Sequence, residues 1–176
     1  MNIEKIKNAV RNIPDFPIPG IQFKDVTTLF KDAQILRELT VGLYEMYKDK
    51  GITKVVGIES RGFIMGPLLA VSLNAGFIPI RKPGKLPAAV YEETYSKEYG
   101  EDAIQIHQDA INSGDVVLLH DDLLATGGTM VAAVNLIRKF NPQKICVNFI
   151  IELEDLNGRG AFDSDVQIDS IIKYAI

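Results

Sequence analysis

The stretch VVLLHDDLLATGGT, from Val116 to Thr129, constrains this chain more than any other. Val116–Leu119 is a continuous apolar, β-prone run, the pattern of a parallel strand covered on both faces. Asp121 and Asp122 come next, at what this pattern makes the strand's carboxyl end, where open α/β sheets hold their ligands. Carboxylates accept hydrogen bonds, so adjacent acids suit a vicinal diol. Ala125, Thr126, Gly127, Gly128 and Thr129 are small enough to let backbone N–H groups close around an anion. A helix beginning near Thr129 adds the positive end of its dipole. One loop therefore offers a diol site beside a phosphate site, as the two ends of a phosphorylated sugar require. Each part has an ordinary alternative: two acids after a strand commonly form a solvated turn, and a Gly-Gly pair commonly just bends the chain. Their order and adjacency favour the joint reading.

At 176 residues the chain has the length of one domain with a sizeable core. A net charge of −4 argues against a nucleic-acid partner, so an anionic ligand needs a local basic cluster. The single cysteine, Cys146, lies in the apolar run Ile145–Ile151 and reads as a core thiol, which excludes a disulfide framework or a Cys/His metal site. The amphipathic N-terminus MNIEKIKNAV has no signal-peptide core, and no apolar run approaches membrane-spanning length. The expectation is a cytoplasmic protein without a membrane partner.

Ile3, Ile6 and Val10 recur at helical spacing, predicting a helix over residues 2–12. IPDFPIPG, Ile13–Gly20, has three prolines and predicts an irregular strip laid over the body. Phe23, Val26 and Leu29 lead into a helix over Ala33–Lys50, with an apolar stripe of Leu36, Leu39, Leu43, Met46 and Tyr47 and with Gly51 as its stop. Lys54–Ile58, Phe77–Ile80 and Lys144–Ile151 read as core strands, and Phe63–Leu73 and Thr129–Phe140 as helices. Arg81–Gln108 is polar and punctuated; within it Val90–Tyr95 and Ala103–His107 can pair as a projecting flap. Strands alternating with helices predict an α/β fold: a central, mostly parallel sheet flanked by helices.

Two further clusters carry chemistry. Glu59-Ser60-Arg61-Gly62 lies between a strand and a helix, a second anion site where Arg61 can grip phosphate oxygens in pairs. Arg81, Lys82 and Lys85 form the densest basic patch of an acidic chain, bent by Pro83 and Gly84. By itself, each is equally an ordinary solvated turn.

VVLLHDDLLATGGT resembles the phosphoribosyl-pyrophosphate signature of the type I phosphoribosyltransferases. RKPGKLP, ESRGF, YSKEYG and DFPIPG with Phe23-Lys24-Asp25-Val26-Thr27 narrow the resemblance to the adenine phosphoribosyltransferase family, over Pro14–Tyr174. The resemblance implies one domain, with a helix and purine hood at 1–32 and a flap at 82–108, that joins adenine to phosphoribosyl pyrophosphate. The products are AMP and pyrophosphate. Carried onto this chain, the sugar-phosphate loop is Asp121–Thr129, and the pyrophosphate site is Ser60, Arg61 and Gly62 with Arg81, Lys82 and Lys85. The purine pocket is Gln22, Phe23 and Lys24 over Leu153; Glu98, beside Tyr99 on the flap, is the acid–base group. Glu98, Arg61, Asp121 and Asp122 are the implied catalytic residues. Magnesium is implied as the cofactor, held mainly by substrate rather than by a protein cage, and a homodimer is implied as the assembly. The flap is expected to be loosely held before substrate arrives.

Lys24 departs from the arginine common in the family and removes the planar fork, leaving backbone contacts to the base. His120 replaces a more usual aliphatic residue; it is a strand-end polar group or a group that tunes the acids' protonation near neutral pH. Two other functions fit the sugar-phosphate loop: a regulatory phosphoribosyl-pyrophosphate sensor, for which no effector module is visible, and a transferase acting on another purine.

Overall fold

The computed structural model describes residues 1–96 and 100–175. In chain order its principal elements are α1 (Ile3–Ala9), β1 (Arg11–Pro14), β2 (Gln22–Asp25), α2 (Thr27–Phe30), α3 (Ala33–Tyr47), β3 (Lys54–Ile58), α4 (Gly62–Ser72), β4 (Gly76–Ile80), β5 (Val90–Ser96), β6 (Glu101–His107), β7 (Val116–Leu124), α5 (Gly128–Arg138), β8 (Lys144–Leu153) and β9 (Gln167–Tyr174). Five parallel strands form the central sheet in the order β4-β3-β7-β8-β9. Helices α1 to α4 bury Ile6, Leu29, Leu39, Leu43, Met65 and Leu69 against one face. The other face packs on α5 and the β5–β6 hairpin through Met130, Leu136, Ile104 and Ile106. The apolar runs of the inner strands are the consequence of cover on both sides.

The N-terminal expectation needs correction. The first helix ends at Ala9, and Arg11–Pro14 pairs antiparallel with β2 as a two-stranded ribbon. Arg11 is held there by Asp25, and its N–H donates to Thr28 Oγ1. These partners lie beyond the helix and outweigh its propensity. The strip thus begins as strand, and its irregular part starts only after Pro14.

The expected flap also changes character. Its two strands pair antiparallel from Val90–His107 to Ser96–Glu101, but Ile104 and Ile106 are buried in the core. Tyr91 meets Phe140 edge-on with ring centroids 5.2 Å apart, and Lys139 Nζ donates to the Glu92 carbonyl at 2.7 Å. The return strand belongs to the core, so the hairpin is not a wholly projecting flap.

Strands β7, β8 and β9 share one irregular rung. Pairing skips Asp122–Ile150 and Ile150–Ile171, yet the register offset is unchanged on either side. Adjacent Ile150 and Ile151 join the same core cluster, as do Ile171 and Ile172. The pleat therefore turns over at this rung, against the alternation of a regular strand. Beyond it Leu153 packs on the α1–α4 side.

Candidate active site

β3 and β7 are neighbours, so the two loops that leave their carboxyl ends lie side by side. The first runs Glu59-Ser60-Arg61 into α4, and its Glu59–Ser60 peptide is cis. Gly62 lets it press on β7: a Cβ there would stand 2.8 Å from the His120 carbonyl and 3.3 Å from Asp121 Oδ1. Arg61 donates through Nε to the Asp122 carboxylate, whose side chain is 5% exposed.

β7 runs on to Leu124, so both acids lie within the strand rather than after it. The two acids stay close together: the Asp122 N–H donates to Asp121 Oδ1 at 2.9 Å, and their carboxyl groups interact. Asp121 lines a cavity of about 110 Å³ together with Ala125, Thr126, Gly127, Gly128 and Thr129. Asp122 is turned to Arg61 instead. Burial, reinforced by the negative charge of Asp122, pushes the Asp121 carboxyl well above the usual carboxylate range. Gly127 takes φ +87°, and no side chain caps α5, which leaves its first-turn N–H groups without a side-chain acceptor beside that cavity.

The basic patch converges on the first loop, though as ion pairs. Arg81 Nη2 lies 3.2 Å from Glu59 Oε1, and the Lys82 N–H donates to Glu59 Oε2 at 2.9 Å. The bond from Arg81 leads the causes that hold the Glu59 carboxyl below its ordinary value. Lys82 Nζ reaches Asp102 at 2.5 Å and the Tyr95 hydroxyl at 3.1 Å, tying the patch to both hairpin strands. Lys85 is exposed. The hairpin reaches the second loop: the Ser96 carbonyl is 4.0 Å from the Cβ position of Gly128. Glu98 and Tyr99 lie outside the described residues.

Gln22, Phe23 and Lys24 lie together on β2, with Phe16 packed edge-on against Phe23 at 5.1 Å. Gln22 Oε1 accepts from Asn12 at 2.7 Å. Lys24 Nζ donates to Asn12 Oδ1 at 3.0 Å and stands 4.5 Å over the Tyr174 ring. Tyr174 is the register partner of Leu153, which is buried at the end of β8. The lysine ammonium is thus engaged between β1 and β9.

His120 is neither at a strand end nor poised near neutral pH. It is fully buried, its Nδ1 is 3.0 Å from Asn148 Oδ1, and desolvation lowers its pKa to about 4. Asn12, Glu59 and Asp102 hold predicted site residues in place, and sequence reasoning assigned them no role. Glu59 stands inside the ESRGF motif, which could have flagged it; Asn12 and Asp102 carry no local signal.

A family model described as phosphoribosyl transferase domain matches residues 25–174. Adenine phosphoribosyltransferase of Bacteroides fragilis is 68% identical over 169 residues, 96% of this chain and 95% of that protein. The crystal structure of adenine phosphoribosyltransferase from Rhodothermus marinus superposes with TM-score 0.91 at 46% identity, covering 98% of each chain. The Saccharomyces cerevisiae enzyme, solved with an imino-altritol bisphosphate and adenine, gives TM-score 0.90 at 36% identity over 96% of this chain and 97% of that one.

Proposed function

Because this chain belongs to the phosphoribosyl transferase domain family, and within it to the adenine phosphoribosyltransferases, we propose that its two adjacent loops hold the two ends of one molecule of phosphoribosyl pyrophosphate. The enzyme transfers the phosphoribosyl group of 5-phosphoribosyl 1-pyrophosphate to adenine, giving AMP and pyrophosphate, a purine-salvage reaction. One contact above all supports the assignment of residues: Gly62 lies against the His120 carbonyl, so the two loops are neighbours.

In this reading Ala125–Thr129 and the start of α5 take the 5′-phosphate, and Asp121 takes the ribose hydroxyls. Its carboxyl oxygens accept hydrogen bonds from a vicinal diol. Ser60, Arg61 and Gly62 take the pyrophosphate with Arg81, Lys82 and Lys85. Displacement at the anomeric carbon builds positive charge on the ribose ring and negative charge on the leaving group. Preorganised cations stabilise the latter, and the carboxylates the former. Asp122 holds Arg61 until the anion arrives; when Arg61 turns to pyrophosphate, Asp122 is released to the ribose. Gln22, Phe23 and Lys24 hold adenine over Leu153 through backbone and ring contacts, and Glu98, with Tyr99 beside it, exchanges the purine-ring proton.

Magnesium is the implied cofactor. Among the described residues no group of three His, Cys, Asp or Glu is disposed to hold a metal, whereas Asp121 offers a single carboxylate beside the sugar site. An ion carried by substrate oxygens and water would neutralise phosphate charge, and Asp121 and Asp122 are the residues that could help hold it. The working assembly is a homodimer. Ile64, Leu68 and Val71 form an exposed apolar stripe on α4 beside Val41 of α3, with Val71 83% exposed. α4 springs from the pyrophosphate loop, so a partner there would brace the site. The chain acts as one cytoplasmic domain, with a hood at 1–32 and a flap at 82–108. No helix among the described residues is long and apolar enough to cross a membrane. Incubation with phosphoribosyl pyrophosphate, magnesium and each purine in turn tests the assignment: AMP should form, and hypoxanthine, guanine or xanthine should be poor acceptors.

A further inference from the structure

The segment between β8 and β9 turns twice, through the short 3-10 turns Glu154–Leu156 and Gly158–Ala161. It lies against the back of the sugar-phosphate loop. A Cβ on Gly158 would stand 2.2 Å from the Ala125 carbonyl and 2.8 Å from Leu124 Cδ1. A Cβ on Gly127 would stand 2.7 Å from the Gly158 carbonyl and 3.3 Å from the Phe162 ring. The two backbones are in contact with no side chain between them. Interiors packed this closely transmit displacement rather than absorb it, so the Ala125–Gly128 turn must move with Gly158.

Gly158 is fixed by its neighbour. Arg159 donates through Nε to Glu152 Oε1 at 2.6 Å and through Nη2 to Glu152 Oε2 at 2.7 Å. Its Nη1 donates to the Ile168 carbonyl at 2.8 Å, and Nη2 also to Ser170 Oγ at 2.9 Å. The Ser170 hydroxyl in turn donates to Glu152. Glu152 lies on β8, and Ile168 and Ser170 lie on β9. One planar fork thus rivets the turn to two strands of the sheet. A lysine could match the charge but not this geometry.

We propose that Arg159 is a positioning residue for the sugar-phosphate half of the site: through Gly158 it sets the curvature of the Ala125–Gly128 turn, and with it the affinity for a phosphorylated sugar. Arg159 touches no substrate in this scheme. The inference rests on the reading that the Ala125–Thr129 loop takes the 5′-phosphate.

The test uses the full chain with Arg159→Gln, titrated separately with ribose 5-phosphate and with magnesium pyrophosphate by calorimetry. Ribose 5-phosphate should bind about ten-fold more weakly, a size typical of mutations that act through a coupled element. Pyrophosphate affinity should stay within about two-fold. The KM for phosphoribosyl pyrophosphate should rise while kcat at saturation holds. Arg159→Lys should behave like Arg159→Gln. If thermal melting shows Arg159→Gln unfolded, Ser170→Ala removes one partner of the fork and should weaken ribose 5-phosphate alone by about three-fold. Equal loss for both ligands, or no loss in a folded variant, overturns the proposal. Thr129→Ala separates the two levels of argument. If it weakens ribose 5-phosphate while Arg159→Gln does not, the positioning role fails alone. If it leaves ribose 5-phosphate binding intact, the loop assignment fails and the positioning role falls with it.

Discussion

Substituting Gly62 by alanine tests how the pyrophosphate loop is held. The new Cβ would stand 2.8 Å from the His120 carbonyl, whereas ordinary contact begins at 3.4 Å. About 0.6 Å must be found, and the obstacle is backbone within the central sheet. Forcing a methyl into such a site costs about 1–3 kcal/mol. The loop, held by side-chain bonds of Glu59 and Arg61 rather than by sheet pairing, is the part that moves. A misplacement of about 1 Å costs about a hundred-fold in rate, so a shift of this size should lower kcat/KM for phosphoribosyl pyrophosphate by roughly ten-fold. Gly114→Ala is the control, because no atom lies within 4 Å of its Cβ position. Steady-state kinetics, with pyrophosphate titration and thermal melting of both variants, decides the matter. A folded Gly62→Ala enzyme with the parent's kcat/KM and pyrophosphate affinity would refute the claim that this contact sets the loop.

Three further outcomes are expected. His120 has a folded pKa of about 4 against an ordinary 6.5, so the unfolded chain takes up its proton first; stability is full above pH 6.5 and falls toward pH 4. Each pH unit in that window removes about 1.4 kcal/mol, about 3 kcal/mol in all; urea unfolding at several pH values should show this slope for the parent and not for His120→Gln, and parallel profiles would refute it. Glu98→Gln should lose most of kcat while binding phosphoribosyl pyrophosphate nearly normally, and unchanged turnover would remove Glu98 from the mechanism. Val71→Asp, placing a charge on the α4 stripe, should convert a two-chain particle into a single chain in sedimentation velocity; a parent enzyme that sediments as one chain would end the dimer reading.

Sheet and helices are legible in the sequence where pattern is local. Lys54–Ile58 is bounded in the fold as its apolar run suggests, because Gly51 and Glu59 close it on either side. The apolar run of β7 stops at Leu119, and two acids look like the end of a strand. Asp122 is paired with Arg61, far away along the chain, and no local pattern carries that information. β9 carries a broken strand signature: Val166, Ile168, Ile172 and Tyr174 keep a period of two, but Ser170 interrupts it. It forms at the sheet edge because Tyr47 and Arg159 supply partners for Asp169 and Ser170. Within the candidate site, the two loops proposed to gather anions are visible as motifs. The ion pairs that hold Arg81 and Lys82 before any ligand arrives are not, because Glu59 and Asp102 become their neighbours only in the folded chain.

The overturned rung in β7, β8 and β9 decides which side chain at the end of β8 faces the α1–α4 side. In step, Glu152 would emerge on the α1–α4 side and Leu153 would vanish beneath α5, so the adenine proposed to lie there would meet a naked carboxylate instead of a greasy floor. One skipped half-turn exchanges the two and sends the acid to Arg159, where its charge is wanted.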